Sequence, residues 1–371
     1  MSKRTQAMSV SGIRKAFEMA QNIKDPIDLS IGQPDFPVPE KIKKHAIKAI
    51  QEDKNGYTPT FGLMELRTAI AEKLQKNNKI KNANPENTII TSAVSGGISV
   101  VLPTIIDPGD EVIIFDPYFV SYKQQVLLYS GKPVIVRKNE DFSFNIDNLR
   151  KAITDKTKAI ILNTPENPTG YVWKKEELKE LAKVAEENNL TIISDEIYED
   201  FIYDKNRPHI SIASFYENTV TLGGFSKSHA VTGWRVGWLQ APPEIIQEIM
   251  KVQQYTFVCA PTPFQHACLT ALDCDISQYV NNYKERGEML YNGLKEKYSI
   301  TRPQGAFYFF IKYPYNPEKF IADCLKHNLL IIPGNVFSEE NTHFRLSFAT
   351  SKQNIQKATK ILNKLANTFK F

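Results

Sequence analysis

Cysteine and long apolar runs are both scarce in this chain of 371 residues. The four cysteines, Cys259, Cys268, Cys274 and Cys324, show neither a C-x-x-C pair nor a histidine spacing typical of zinc ligands. We therefore expect no metal site, and we expect buried or unreactive thiols in a reducing compartment. No apolar run approaches the length of a membrane-spanning helix, so a membrane protein is not expected.

A strong excess of charge of one sign is also missing. The formal net charge is only +5, and lysines stand beside glutamates in segments such as KKEELKELAKVAEENN (174–189), which is typical of a solvated helix face. No basic block is interleaved with aromatic residues, so nucleic acid is not an expected partner. The basic start MSKRTQAM is followed by no apolar stretch, which argues against a secretory signal and favours a cytoplasmic location.

Apolar residues make up 42% of the chain, enough to bury a large core, and the length favours two domains. Helical periodicity marks residues 11–23, 40–52 and 63–77. From residue 88 onwards, helix-like segments alternate with short apolar strand candidates, which are TIITSAV, EVIIFDP, AIILNTP, TIISDEIY and TVTLGGFSK. This alternation predicts an α/β protein with a mostly parallel sheet that is covered by helices on both faces.

Chemically useful residues follow several of the predicted strands. In sheets of this kind, ligands bind beyond the carboxyl ends of the strands. The residues found there are Ser95, Phe119, Asn167, Asp195 and Lys227, so we expect them to line one site. After a long helix predicted over residues 275–297, the segments GAFYFFIKY, LLIIPG and HFRLSFA predict a smaller α+β domain.

The segment GGFSKSHAVTGWRVGW (223–238) carries the strongest chemical signal. It sets Lys227 among small and hydroxylated residues, with Arg235 eight positions later between Trp234 and Trp238. Such a lysine can form a Schiff base with an aldehyde cofactor, and the arginine can bind that cofactor's phosphate. The alternative is a surface lysine in a polar loop. The flanking tryptophans argue against a freely solvated loop.

With these motifs in place, the chain resembles the class I/II aminotransferases, fold-type I enzymes of the aspartate aminotransferase kind that use pyridoxal 5′-phosphate (PLP). The matching motifs stand in family order over residues 31–349 and are IGQPDF, NGYTPTFG, SGG, DPYFVSY, TPENPTG, SDEIY, FSKSHAVTGWRVGW, GAFY and HFRLSFA. The resemblance implies a mostly parallel, seven-stranded sheet in a large domain over residues 40–280. It also implies a small α+β domain formed by residues 1–39 and 281–371, and a homodimer with shared active sites.

The resemblance assigns several side chains to the ring of PLP. Asp195 would stabilise the protonated pyridine nitrogen, although an aspartate at this place can also cap a helix. Tyr198, expected on the same helical face, would contact the phenolic oxygen together with Asn167 and so lower the pKa of the lysine imine. Asn167 could instead be a plain turn residue. Phe119 would stack on the ring, although core packing is the commoner role of phenylalanine.

The phosphate of PLP needs backbone N–H groups at a helix start, hydroxyl groups and a cation. Val94 and Ser95, in the turn after TIITSA, would supply the first two, and Arg235 would supply the cation. The same strand-turn-helix pattern could equally be an ordinary tight turn. By resemblance, Tyr57 reaches the phosphate from the second subunit; a turn tyrosine without a ligand is the alternative.

One position departs from the family pattern. Many relatives have a serine three residues before the lysine, where this chain has Gly224. One phosphate hydrogen bond is therefore in question, and Ser226 is the candidate to replace it. Several other phosphate contacts are implied, so we expect the cofactor to bind.

Substrate recognition is centred on Arg345, which lies in the apolar segment HFRLSFA. An unpaired guanidinium is costly to bury, so a carboxylate partner is expected. By resemblance that partner is the α-carboxylate of the substrate, held bidentately, and a structural salt bridge is the alternative. Asn167 and Gly32 complete the implied substrate contacts, since a glycine allows the substrate to approach the backbone.

Together these residues predict an aminotransferase that moves an amino group from an L-amino acid to a 2-oxo acid by ping-pong kinetics. Lys227 would act as general base and then as general acid. The region around Ile13, Ile31, Tyr118 and Phe119 is apolar enough for aromatic or aliphatic substrates, and the resemblance implies aspartate, so we expect aspartate or a broad, aromatic range of substrates. A PLP-dependent lyase or synthase of the same fold is the alternative. A non-catalytic PLP-binding regulator is a further one.

Overall fold

The computed structural model describes residues 1–13 and 23–367, so most of the helix predicted over 11–23 lies outside the described residues. Within these residues the α-helices, α1 to α12, are Lys3–Gln6, Glu40–Gln51, Met64–Lys76, Ala93–Ile105, Ser121–Leu128, Ile146–Ala152, Lys175–Glu187, Pro243–Gln254, Thr262–Ala271, Ser277–Leu294, Pro317–Lys326 and Lys352–Asn367. The strands, β1 to β12, are Ile27–Asp28, Thr88–Thr91, Glu111–Asp116, Lys132–Arg137, Thr157–Asn163, Thr191–Asp195, Thr219–Gly224, Gly237–Gln240, Tyr308–Lys312, Leu329–Leu330, Ile332–Pro333 and His343–Ser347. In this part of the chain, no helix has the length and apolar content needed to cross a membrane.

Seven of the strands form one sheet in the order β2-β8-β7-β6-β5-β3-β4. Strand β8 runs antiparallel to both of its neighbours, and the other strand pairs are parallel. Because helices cover both faces, the central strands are buried along their whole length; β3 and β6, for example, have no exposed residue. The predicted α/β fold with a seven-stranded, mostly parallel sheet is confirmed.

Two of these strands, β4 and β8, are additional to the segments that the sequence pattern indicates. The sequence of β8, GWLQ, falls inside the Gly- and Trp-rich motif, which offers no apolar run of its own. It runs back between β2 and β7, where Gly223 and Gly224 face Trp238 and Gly237. Its antiparallel direction depends on long-range pairing, which local sequence does not specify.

Two smaller sheets complete the architecture. Strands β11, β12 and β9 form an antiparallel sheet, and β1 pairs with β10 in parallel. Helices α10 and α12 pack together over this region. The core beneath them is rich in aromatic side chains, among them Phe307, Tyr308 and Phe344, which are fully buried. This arrangement supplies the strand that carries Arg345.

An ion pair is buried directly beside the predicted site. Lys138 and Glu166 are in contact, and their side chains are 1% and 6% exposed. The indole Nε1 of Trp173 donates to Glu166 at 2.8 Å, and the hydroxyl of Thr169 donates to the same carboxylate. The carboxylate is thus fully satisfied, and removing its cation would leave a buried charge without a partner.

We therefore expect Lys138→Met to lower the free energy of unfolding by about 3–5 kcal/mol. Lys251→Met is the matched control, because Lys251 pairs with Glu248 at 2.6 Å on the exposed surface of α8, where such pairs contribute little. Urea unfolding of both variants at one fixed protein concentration measures the difference. The double variant Lys138→Met/Glu166→Gln should recover part of the lost free energy of unfolding. Equal losses in Lys138→Met and in the control Lys251→Met would contradict a stabilising role of the buried ion pair.

Candidate active site

A cavity of about 760 Å³ opens at the carboxyl ends of the parallel strands. The residues predicted to follow the strands, Ser95, Phe119, Asn167, Asp195 and Lys227, all line it. Six further predicted site residues line the same cavity, namely Gly32, Val94, Tyr198, Ser226, Arg235 and Arg345. Tyr57 is the exception among the predicted set, since it does not line the cavity and is 88% exposed.

Lys227 follows β7 and reaches across the cavity, where its Nζ donates to the backbone oxygen of Gly32 at 2.7 Å. Burial and, to a smaller extent, the charge of Arg345 lower the pKa of this lysine, Asp195 acts in the opposite direction, and the net pKa is about 8. A substantial fraction of this amine is therefore neutral near physiological pH, which is the form that can attack a carbonyl or accept a proton.

Asp195 ends β6 and is almost fully buried. Its Oδ2 accepts from the hydroxyl of Tyr122 at 2.7 Å, and its Oδ1 accepts from the backbone N–H of Ile197 at 3.1 Å. Burial raises the pKa of Asp195 to about 6, and the hydrogen bond from Tyr122 opposes that rise. A cation brought against this carboxylate would favour its ionised form.

Asn167 joins the two halves of the site. Its Oδ1 accepts from Arg345 at 3.0 Å, and its Nδ2 lies 3.5 Å from the hydroxyl of Tyr198. The predicted helical relation between Asp195 and Tyr198 is wrong, because residues 197–200 form turns after β6 rather than a helix. The turns nevertheless bring the Tyr198 side chain into the cavity.

Arg345 is held in the middle strand of the antiparallel sheet and is only 1% exposed. Its Nη2 donates to the backbone oxygen of Ser30 at 2.6 Å, and its guanidinium lies 4.6 Å from the ring centroids of both Tyr308 and Phe337. Among the described residues its hydrogen-bond partners are the Asn167 side chain and the Ser30 backbone rather than a carboxylate, and its Nε has no partner. A buried guanidinium with this environment can still accept an anionic ligand.

Arg235 and the start of α4 form the opposite end of the cavity. Arg235 has a left-handed backbone conformation, with φ of 58°, and its Nη1 donates to the backbone oxygen of Thr232 at 2.7 Å. Its Nη2 lies 3.4 Å from the hydroxyl of Ser95, which is in the first turn of α4. A cation, a hydroxyl and free helix N–H groups therefore converge, which suits a phosphate.

The glycine at position 224 has a packing reason in this structure. A Cβ built there would come within 3.0 Å of the Cα of Gly237 on the neighbouring strand, so a serine would require a shift of the backbone. Two positions further on, the hydroxyl of Ser226 is buried and has no hydrogen-bond partner among the described residues. It faces the cavity, where a ligand oxygen could satisfy it.

Tyr118 does not take its predicted place in the substrate region. Its hydroxyl donates to Glu339 at 2.6 Å, and the side chain lines a neighbouring cavity instead. Ile13, Ile31 and Phe119 do line the main cavity. The prediction failed because the carboxylate that binds Tyr118 comes from a loop more than two hundred residues away.

Sequence reasoning also missed Tyr122 and Tyr308, which both contact predicted site residues. The hydroxyl of Tyr308 lies 2.9 Å from that of Tyr198, and both side chains are buried. Both missed residues stand in motifs that the resemblance matched, DPYFVSY and GAFY. Their place in these motifs could have indicated that the two tyrosines belong to the site, but it does not indicate which residues they contact.

The low pKa of Lys227 predicts its reactivity in the cofactor-free protein. Labelling with limiting acetic anhydride across a pH series should give a midpoint near 8 for the peptide that contains Lys227, with surface lysine peptides as the internal reference. Asp195→Asn should move the midpoint to lower pH, because the carboxylate raises the pKa of Lys227. A wild-type midpoint near the usual lysine value of about 10.4 would contradict the prediction.

Comparison with known proteins identifies the family. The family described as aminotransferase class I and II matches residues 24–362. The chain is 39% identical to an aspartate aminotransferase of Pyrococcus abyssi and covers 98% of both chains; it is 37% identical to aromatic-amino-acid aminotransferase 2 of Thermococcus litoralis, again over 98% of both. The crystal structure of aspartate aminotransferase from Thermotoga maritima superposes with a TM-score of 0.94 at 32% identity, covering 99% of this chain and 100% of that one. The chain therefore belongs to the class I and II aminotransferases, a PLP-dependent family.

Proposed function

We propose that this aminotransferase binds PLP in the cavity at Lys227 and exchanges amino groups between an aspartate-like or aromatic L-amino acid and a 2-oxo acid. The observation that carries the proposal is the meeting of Lys227, with its lowered pKa, and the buried carboxylate of Asp195 in one cavity. PLP, when bound, supplies an electron sink for the bonds at the substrate Cα.

The residues present fit PLP at both ends of the cavity. Asp195 would hold the protonated ring nitrogen, with Tyr122 orienting its carboxylate, and Asn167 and Tyr198 would face the phenolic oxygen. Phe119 lines the cavity and would pack against the ring. This set of one carboxylate and two neutral hydrogen-bonding groups matches the charges of a protonated pyridine with an oxyanion.

The phosphate would lie between Arg235, the hydroxyl of Ser95 and the N–H groups of Val94 and Ser95 at the start of α4. The buried and unpartnered hydroxyl of Ser226 supports a further contact at this end. Ser226 would then replace the hydroxyl that relatives carry at position 224. Each of these groups donates or is positively charged, as an anionic phosphate requires.

Lys227 would move the proton at the substrate Cα. Its neutral amine would accept the proton from Cα as general base and deliver it, as general acid, to the C4′ carbon of PLP, and its pKa of about 8 keeps both forms accessible near neutral pH. The backbone carbonyl of Gly32 accepts a hydrogen bond from this amine and so positions it in the cavity. Arg345 would bind the substrate carboxylate, since it is already oriented by Asn167 and by the backbone of Ser30.

The side-chain end of the cavity favours an uncharged substrate group. Among the described residues that line the cavity, the cations are Lys227, Arg235 and Arg345, and each has a proposed role already. The other residues that line the cavity include Ile13, Ile31, Phe119, Val10 and Gln124. These mostly apolar side chains can pack against the ring of an aromatic amino donor. The similar proteins described as an aspartate and an aromatic-amino-acid aminotransferase support the two substrate classes proposed.

We also infer a homodimer with shared sites and a small domain formed by residues 1–39 and 281–371. The pairing of β1 with β10 supports the domain division.

The proposed dimer is supported by large apolar side chains that are exposed, among them Ile47, Ile50, Tyr57, Met64, Tyr255, Val258 and Leu269. The loop that carries Tyr57 is hydrogen-bonded to the segment around Tyr255, through Gln253 to Thr60 at 2.7 Å and Thr262 to Gly56 at 2.6 Å. The exposed side chains of Tyr57, Tyr255 and Val258 thus belong to neighbouring segments, as an interface between copies would require.

The proposed reaction predicts a defined product balance. With tyrosine or aspartate as donor and 2-oxoglutarate as acceptor, protein reconstituted with PLP should form glutamate and the 2-oxo acid of the donor in equal amounts, with no release of ammonia. Borohydride treatment of the loaded protein should attach the cofactor to the peptide that contains Lys227, and Lys227→Ala should lose both the label and the activity. Release of ammonia would indicate the lyase alternative, cofactor binding without turnover the regulator, and a label on another lysine would overturn the site.

The shared site predicts complementation between two inactive chains. Tyr57→Ala should lower activity by weakening phosphate binding, and Lys227→Ala should abolish it. Hybrid dimers of these chains contain one intact site if Tyr57 acts across the interface, so mixing them should restore activity up to about half of the wild-type value per hybrid dimer. Full activity of Tyr57→Ala alone, no recovery on mixing, or a monomer by light scattering would contradict the proposal.

A further inference from the structure

Tyr308 contacts two of the predicted site residues, Tyr198 and Arg345. It begins β9, is fully buried, and lines the cavity. Its hydroxyl lies 2.9 Å from the hydroxyl of Tyr198, and its ring centroid lies 4.6 Å from the guanidinium carbon of Arg345. One side chain therefore contacts both the residue that faces the cofactor oxygen and the residue that faces the substrate carboxylate.

The direction of the hydroxyl hydrogen bond follows from the number of protons available. The hydroxyl of Tyr198 has one proton, and it donates that proton when it binds the cofactor oxyanion. The proton between the two tyrosines must then come from Tyr308. A hydroxyl that accepts one hydrogen bond becomes a better donor in the next, so Tyr308 strengthens the contact that Tyr198 makes.

The ring of Tyr308 has a separate effect. Arg345 lies between the rings of Tyr308 and Phe337, at 4.6 Å from each centroid. These contacts stabilise a guanidinium that has been removed from water, and they fix its plane. Gly32 makes the arrangement possible, because a Cβ at that position would come within 2.4 Å of the Tyr308 hydroxyl oxygen.

We propose that Tyr308 is a positioning residue with two separable actions: its hydroxyl polarises Tyr198 toward the cofactor, and its ring holds Arg345 for the substrate carboxylate. The proposal rests on the proposed function, since it assumes that PLP and an amino acid occupy this cavity. The other groups that act on the Tyr198 hydroxyl or ring are Asn167, Arg345, Asp195 and Lys227. All of them remain when Tyr308 is substituted.

Two substitutions separate the actions. Tyr308→Phe removes only the hydroxyl, and Tyr308→Leu removes the hydroxyl and the aromatic ring. The first measurement is the pKa of the visible band of the PLP-loaded protein without substrate. The second is the dissociation constant of 3-phenylpropionate, an unreactive carboxylate, from the change in that band. Tyr298→Phe is the control, because its buried hydroxyl donates to the backbone oxygen of Leu362 at 2.7 Å, away from the cavity.

We expect both Tyr308 variants to raise the spectroscopic pKa by about half a unit, because a weaker donor stabilises the oxyanion less. We expect Tyr308→Leu to weaken binding of the carboxylate about tenfold, and Tyr308→Phe to change it less than about twofold. The control should change neither quantity. In steady-state kinetics, Tyr308→Phe should lower kcat more than it raises KM.

An unchanged spectroscopic pKa in Tyr308→Phe overturns the role of the hydroxyl. A loss of carboxylate affinity that is equal in both variants, or absent in Tyr308→Leu, overturns the role of the ring. If Tyr308→Leu fails to fold, the Phe variant still tests both actions, since the ring it retains must preserve carboxylate affinity. Wild-type protein that shows no PLP band on reconstitution would count against the proposed function itself, which keeps the two failures distinct.

Discussion

An excess of positive charge determines which ligands this cavity can bind. Among the described residues that line it, Lys227, Arg235 and Arg345 are cations, and Asp195 is the one carboxylate. Burial and the neighbouring guanidinium lower the pKa of the lysine, and the same positive potential favours anionic ligands at both ends of the cavity. These charges come from two parts of the architecture, because Lys227 and Arg235 lie between strands β7 and β8 of the large sheet whereas Arg345 comes from the antiparallel sheet.

The parts that the sequence predicted well are those whose position depends on local order along the chain. Apolar strands alternate with helices, so the pattern predicts the sheet and the site beyond the carboxyl ends of its strands. Asp195 is the last residue of β6, and Lys227 follows the end of β7. The resemblance to a family then supplied roles that spacing could not. The helix start that carries Val94 and Ser95 was predictable for the same local reason.

The parts that escaped prediction depend on partners that are distant in sequence. Tyr122 binds Asp195 across 73 positions, and Tyr308 meets Tyr198 across 110. Tyr118 was expected in the substrate region, but Glu339 draws its hydroxyl elsewhere. Strand β8 was missed because its direction is set by pairing with β2 and β7. In each case the side chain or strand has several locally allowed arrangements, and tertiary packing selects one.

The contact between Gly32 and Tyr308 restricts how this protein can diverge. With 2.4 Å between a built Cβ and the tyrosine oxygen, alanine at position 32 is compatible with a smaller residue at position 308, but not with the tyrosine in its present place. Conversely, once the tyrosine is lost, the glycine loses one of its steric reasons for being kept. The two positions are 276 residues apart, yet their tolerated substitutions are mutually dependent. A substitution at one of these positions therefore changes which residues are sterically allowed at the other.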